Sequence, residues 1–536
     1  MTKQKFLIQG AVLTAVSLLL RISNMGYRSF LSQEMGSAGM GLYQLIFSIF
    51  TLTVTLSTSG ISLAVTRMVT AAMATGKRQV VRSTVARCFG FCLSVSLSIA
   101  LLLFFLAEPA AAVFLGTAQA APCLRILGVG LPFMSLCTCM KGYFLAVDES
   151  LSTAFSDAME QALTIGATVF LFWRFAPQSL EAACFAVMLA STLGEATSFV
   201  CSCAAYRSSL RRNTPKNREK AKGVLQGLAH IALPCTLSSA ARSTLNTGEN
   251  LLIPKELQKY GLSYSGALSQ YGLLQGMAMP MLYFPSSLLS SFASLLIPKI
   301  AKERELHHQR AVAHITGKAL RLALAFGIFF AGLFLTFGES WGIALYGNKN
   351  AGAYLQVLAP LAPLIYLDVV VDSLLKGMDE QFNSMKYNLA DSLLRVTLVL
   401  CLLRFFGLES YVGILFFSTI FNAALSLRRL LQVTQVRLSL SQHVLLPLLC
   451  AGLSLWIGKK LLAPFPFSQP LWEISCELLV CGSIFLLSYG GCTGFMQKNT
   501  GKARRKAQKS AAKESFCSTA KHNRRDLDTQ TSSHGL

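Results

Sequence analysis

Charge is what this chain has least of. Of 536 residues only 14% are Asp, Glu, Lys or Arg, where a soluble globular chain carries about a quarter. That shortage excludes a water-soluble protein, because so little polar surface cannot cover a chain that is 53% hydrophobic. Acid is scarcer than base: 25 Asp and Glu stand against 48 Lys and Arg, a formal net charge of +23. The excess does not point to nucleic acid, since no soluble stretch interleaves a basic patch with aromatics. Catalytic motifs are missing as well. There is no G-x-x-x-x-G-K-[ST] loop, no H-E-x-x-H and no nucleophile elbow, so neither an enzyme nor an ATP-driven pump is expected. Many of the fifteen cysteines lie inside apolar runs, and Cys137/Cys139 and Cys201/Cys203 have Cys-x-Cys spacing without histidine partners. Neither disulfides nor a metal site is expected.

What the chain has instead is apolar runs near the length that crosses a hydrocarbon core of about 30 Å. They fall at roughly 6–25, 41–66, 86–106, 121–147, 154–173, 181–205, 223–245, 267–298, 317–337, 354–376, 388–406, 411–427, 443–458 and 471–491. The reading is an all-α polytopic membrane protein of about fourteen transmembrane helices. Lys3 and Lys5 ahead of an apolar run superficially resemble a secretory signal, but the run continues into Arg21 without a small-residue cleavage site, so a retained first span is expected. If the chain starts in the cytoplasm and alternates, the cytoplasmic segments hold 35 of the 48 Lys and Arg. This is the positive-inside signature of a multi-pass protein of the cell membrane with both termini cytoplasmic.

The chain also repeats itself. Gly41-Leu42-Tyr43-Gln44 and Gly272-Leu273-Leu274-Gln275 stand 231 residues apart, and at the same offset 124–149 aligns without a gap on 355–380. That alignment matches Pro132 with Pro363 and Asp148-Glu149 with Asp379-Glu380. Two halves of six spans each have the same membrane orientation, the arrangement used by transporters that rock two lobes about a central site. The expected domains are a first lobe and basic linker (1–222), a second lobe (223–435), two additional helices (436–491) and a basic, disordered cytoplasmic tail (492–536).

The block at residues 18–69, LLLRISNMGYRSFLSQEMGSAGMGLYQLIFSIFTLTVTLSTSGISLAVTRMV, resembles the stage V sporulation protein B and polysaccharide exporter family. That family belongs to the superfamily of lipid II flippases and multidrug and toxic compound extrusion transporters. The resemblance implies a two-lobed bundle of fourteen helices that moves an undecaprenyl-diphosphate-linked saccharide, lipid II-like or a polysaccharide precursor, by alternating access. Sporulation or cell-wall synthesis is the implied setting. The implied partners are the lipid-linked saccharide and membrane lipids, with the oligomeric state left open and a monomer among the options.

A flippase of this kind must offer anionic oxygens a replacement for water, and arginine does so with a fixed planar fork that stays charged. Arg21 lies about fifteen residues into the first span, roughly 22 Å along a helix, and Arg28 two turns beyond it. Arg242 lies deep in the seventh span, and a longer outer loop at 246–265 would bring it into register with Arg21. The resemblance supports Arg21, Arg28 and Arg242 as substrate-binding, facing one cleft; Arg67 is the fourth substrate-binding candidate, at the end of the second span where a snorkelling arginine is also ordinary. Ion-coupling candidates are Asp368 and Asp372, spaced i, i+4 with Lys376 one turn further, and Glu195 in the sixth span. Such groups can bind Na⁺ or carry a proton, or can neutralise one another between helices; Asp391 and Arg395 form a similar pair. No cofactor is expected. Prolines 234, 280, 285, 360 and 363 permit bending. Two alternatives stay open: a cation-coupled multidrug exporter, which needs an acidic or aromatic cavity, and a non-transporting scaffold for envelope synthesis.

Overall fold

In hydrocarbon every backbone N–H and C=O must be satisfied within its own segment, which for a single chain of apolar runs means helices. A computed structural model describes residues 3–76, 78–213, 224–436, 439–464 and 472–493, and among them there is no strand. The first helical run, Lys3–Thr58, is interrupted at Gly36 (φ 66°). We divide it there into α1 (3–35) and α2 (37–74), the latter continuing past a break at Ser59 and Gly60 as Ile61–Ala74. Then follow α3 (Arg78–Phe105), α4 (Ala121–Ala146), α5 (Ser150–Phe175), α6 (Leu180–Asn213), α7 (Val224–Lys259), α8 (264–305) and α9 (Gln309–Tyr346). After them come α10 (349–377), α11 (381–406), α12 (408–434), α13 (Ser441–Leu462) and α14 (Trp472–Thr493). Gly407 (φ 64°) separates α11 from α12. The fourteen helices expected from the apolar runs are therefore present among the described residues. The described residues up to Ser439 form one compact unit and those from Leu440 onward a second. Within the second unit Gly458 lets α13 close on α14, since a Cβ there would lie 2.3 Å from Cys481 Sγ. Most of the expected tail, 494–536, lies outside the described residues.

Helix direction alternates. Val16 lies beside Leu151 and Phe155 at the start of α5, and Tyr27 hydrogen-bonds Thr168 near its end (3.0 Å), so α1 runs parallel to α5. Beyond Gly36 the chain returns. Along α2, Ser48 accepts from Asn250 (3.0 Å), the Ser59 carbonyl accepts from Thr236 (2.6 Å), and Gly60 abuts Ala232. The helix therefore lies antiparallel to α7. The segment 246–259, expected to belong to an outer loop, is instead the last part of α7, because Leu251 to Leu257 keep burying apolar side chains.

The repeat is written into the backbone. Positive φ recurs at Gly76 and His307, Gly116 and Gly347, Asp148 and Asp379, and Ala176 and Gly407, each pair 231 residues apart. The matched Asp-Glu motifs are helix ends: the Asp takes the left-handed turn and the Glu N–H bonds back to the Phe144 or Leu375 carbonyl (2.9 Å in both). Both glutamates then meet an arginine, Glu149 with Arg212 (3.5 Å) and Glu380 with Arg429 (2.9 Å). The two equivalent helices α2 and α8 cross at their repeated glycines. A Cβ on Gly41 would lie 2.1 Å from the Leu268 carbonyl oxygen, and one on Gly272 would lie 1.9 Å from the Ser37 carbonyl oxygen. The contact is reciprocal, because Ser37 and Leu268 are themselves 231 apart, and Ser37 and Ser269 seal it with a 2.6 Å hydrogen bond. Around it the Leu115 carbonyl accepts from Tyr264 (2.7 Å) while the equivalent Tyr346 carbonyl accepts from Ser32 (3.3 Å). One of the expected proline bends appears in α8, whose axis turns by 49° between Tyr283 and Ser286, at Pro285, after a π-helical turn at Gly272–Ala278. Pro360 sits in a short 3₁₀ turn of α10.

Backbone-on-backbone contact leaves no room for a methyl group, so Gly41→Ala and Gly272→Ala should each destabilise the detergent-solubilised protein by about 1–3 kcal/mol. Gly26→Ala, with nothing within 4 Å of the added carbon, serves as the control and should not lower the melting temperature.

Candidate functional site

Beside the glycine crossing, α1 and α8 part around a cavity of about 460 Å³. α1 supplies Arg21, Asn24 and Arg28; α8 supplies Met279, Tyr283 and Ser287. Gln44 and Gln275, one turn past the two crossing glycines and 231 apart, also line it. Among the described residues no carboxylate lines this cavity, while two arginines do, so its charge is positive. Arg28 Nη1 and Gln44 Oε1 are buried atoms without a hydrogen-bond partner. Such atoms cost free energy unless something pairs with them, and in a cavity that something is a ligand or water.

From Gln275 a chain of contacts leads into the second half. Its amide donates to the Tyr411 hydroxyl (2.8 Å), which donates to Glu249 (3.1 Å). Glu249 faces Arg395 (3.5 Å), which also faces Asp391 (3.5 Å), and Asp391 accepts from Ser418. Next to it Asp368 accepts from Asn422 (3.1 Å), itself 3.5 Å from Asn388. Asp372 is paired with Lys376 (3.1 Å) and accepts from Ser384, whose hydroxyl oxygen accepts from Asn388 (3.4 Å), so Asp372 joins the same network at its edge. The first half holds a counterpart at the same offset. Lys141 pairs with Asp157 (2.7 Å), and buried Glu195 stands close to Glu160, which occupies the position where the second half has Asp391.

The expected site residues thus separate. Arg21 and Arg28 share the central cavity; Arg242 does not join them, lying instead in a groove between α7 and α11 with Lys386. The pairing expected from a loop at 246–265 fails because 246–259 continues the helix and only the short turn at 260–263 connects it to α8. Arg67 is exposed on α2, beside Thr66 whose hydroxyl donates to the Gly142 carbonyl (2.9 Å). Among the described residues no group of three His, Cys, Asp or Glu is placed to hold a metal ion.

Residues 7–303 match the family model described as polysaccharide biosynthesis protein. The chain belongs to that family. Among curated members, stage V sporulation protein B of Bacillus subtilis is 26% identical over 407 residues, covering 75% of this chain and 78% of the relative. The B. subtilis sporulation protein YkvU is 21% identical over 242 residues, 45% of this chain and 54% of that one. The family's fold here is similar to the lipid II flippase MurJ in an inward closed conformation: TM-score 0.68, 13% identity, 90% of this chain and 100% of that one. It is also similar to an inward-facing MATE family multidrug transporter, with TM-score 0.64, 12% identity, and coverage of 80% and 98%. This member of the polysaccharide biosynthesis family is a multi-pass membrane protein on a transporter fold, and the solved folds it matches are carriers rather than enzymes.

Sequence reasoning missed Glu249, Tyr411 and Glu160, and it read Gln44 and Gln275 as repeat markers only. The recurrence of glutamine at one offset was the available signal, since a polar side chain kept on two apolar helices needs a polar neighbour. Removing one partner of a buried ion pair leaves the other uncompensated, so Arg395→Ala should cost about 3–5 kcal/mol in detergent unfolding. Adding Glu249→Gln should recover much of that loss; equal melting of single and double variants would show the pair to be uncoupled.

Proposed function

We propose that this protein is a flippase for an undecaprenyl-diphosphate-linked saccharide, lipid II-like or a polysaccharide precursor, working by alternating access in the cell membrane with both termini cytoplasmic. The observation that carries the reading is the pair Arg21 and Arg28 in a cavity without carboxylates, with a buried guanidinium N–H left open. A diphosphate supplies acceptors in the geometry that the fork of arginine requires. Its polyprenyl tail stays in the bilayer, and α1 and α8 border the cavity where the saccharide would sit. A cationic drug finds no compensating charge there, which counts against the multidrug reading. Lys and Arg concentrated in the segments assigned to the cytoplasm support the orientation.

Coupling to Na⁺ or H⁺ belongs to the same proposal. Two features support it: Asp368 and Asp391 amid Asn and Ser side chains, and the Glu160–Glu195 carboxyl pair. Gln275, Tyr411 and Glu249 link the cavity wall to the first of these. An ion bound there would change the hydrogen bonding of a cavity residue, which is what coupling needs.

In proteoliposomes, Arg28→Ala should slow translocation of a lipid-diphosphate saccharide at least about 100-fold, the equivalent of roughly 3 kcal/mol of charge-assisted hydrogen bonding. Arg21→Ala should slow it in the same direction. Wild-type flipping rates in a folded Arg21→Ala/Arg28→Ala protein would overturn the reading.

A further inference from the structure

The duplication that built the two halves also built two side grooves, and only one of them is charged. In the first half a groove of about 480 Å³ between α1 and α5 is lined by Val16, Leu151, Ala154, Phe155 and Ala158. In the second half a groove of about 320 Å³ between α7 and α11 is lined by Phe382, Met385, Lys386 and Leu389. Those four residues stand at an offset of 231 from Leu151, Ala154, Phe155 and Ala158. The backbone frame is therefore the same and the chemistry has changed: Phe155 is replaced by Lys386, and α7 adds Arg242, Ser238 and Ser239.

We propose that the α7/α11 groove binds the headgroup of an anionic phospholipid from the surrounding membrane, with phosphate on Arg242 and Lys386 and an acyl chain along Phe382, Met385 and Leu389. Among the described residues neither Arg242 nor Lys386 forms an ion pair. The charge of Arg242 reaches Asp368 and Asp391 behind it without a direct contact, and the Lys386 ammonium lies 4.5 Å from the Phe382 ring centroid. Both cations are exposed, so their N–H donors remain open to a ligand. Phe382, Met385 and Leu389 are 63%, 42% and 40% exposed, an apolar strip beside two cations, which matches the layout of a phospholipid. Lys386 lies little more than one turn into α11, and Arg242 near the middle of α7. The planar fork of arginine and the point charge of lysine together suit a phosphodiester that carries one negative charge, and the Ser239 hydroxyl can donate to a remaining oxygen, whereas Ser238 already donates to the Cys235 carbonyl (3.0 Å). A zwitterionic lipid brings its own cation to the same groove and gains less.

This site is outside the central cavity and its test does not depend on transport. The full-length protein is released from nanodiscs and its retained lipids are weighed by native mass spectrometry, with phosphatidylglycerol against phosphatidylcholine. Wild type should retain phosphatidylglycerol preferentially. Arg242→Ala and Lys386→Ala should each weaken that retention about five-fold, and the double variant about thirty-fold, on the scale of one surface cation apiece. Phosphatidylcholine retention should be unchanged, which also reports that the variants are folded, and Lys386→Arg should retain the wild-type preference. Unchanged phosphatidylglycerol retention in the double variant would overturn the proposal. So would equal loss of both lipids, which would make the groove an apolar surface only. Displacement of phosphatidylglycerol from this groove by undecaprenyl diphosphate would also overturn it, by making the groove part of a substrate path.

Discussion

The structure depends on one contact, the crossing of α2 and α8 at Gly41 and Gly272. Lipid tails are as apolar as leucine, so two membrane helices are not pushed together by the hydrophobic effect and must gain their attraction from close packing and hydrogen bonds. Here the gain is reciprocal: each glycine admits the other helix's carbonyl, and a serine pair closes the seam. One turn further along, the same two helices carry Gln44 and Gln275, which the crossing delivers to one cavity. Arg21 and Arg28 reach that cavity because α1 turns back sharply at Gly36 and so stands beside α2.

Duplication followed by divergence describes the polar interior. Equivalent positions hold Cys137 and Asp368, Lys141 and Asp372, Asp157 and Asn388, and Glu160 and Asp391. One half keeps a carboxyl pair beside a lysine, and the other spreads carboxylates among asparagines and an arginine that faces two acids. Helix ends have not diverged in the same way. The left-handed turns recur at one offset through both halves, since a turn residue is constrained by backbone geometry whereas a buried side chain is constrained by whatever it meets.

Much of the fold was legible in advance. Apolar runs marked the helices because the bilayer leaves the backbone no alternative, and the Asp-Glu matches marked the repeat, though only the backbone showed that they are left-handed turns. Helix ends were less legible. α9 extends well past its apolar run on both sides, since polar residues can continue a helix into the headgroups. Arg242 was misplaced for a related reason: the stretch after it reads as polar, yet Glu249 and Glu256 are buried within a continuing helix. Glu249 was invisible as a site residue because its partner, Arg395, lies far along the chain on another helix.

By itself the sequence determined the medium, the number of helices, the repeat and the shortage of acid. These follow from composition and from periodicities that act within one segment. Only the tertiary structure decided that Arg21 and Arg28 share a cavity with two glutamines, that Arg242 faces a separate groove, and that Gln275 reaches Glu249 through Tyr411. Helical periodicity says which residues share a face, but the neighbour that face meets is set by where small residues allow two backbones to touch, and that is a property of pairs of helices.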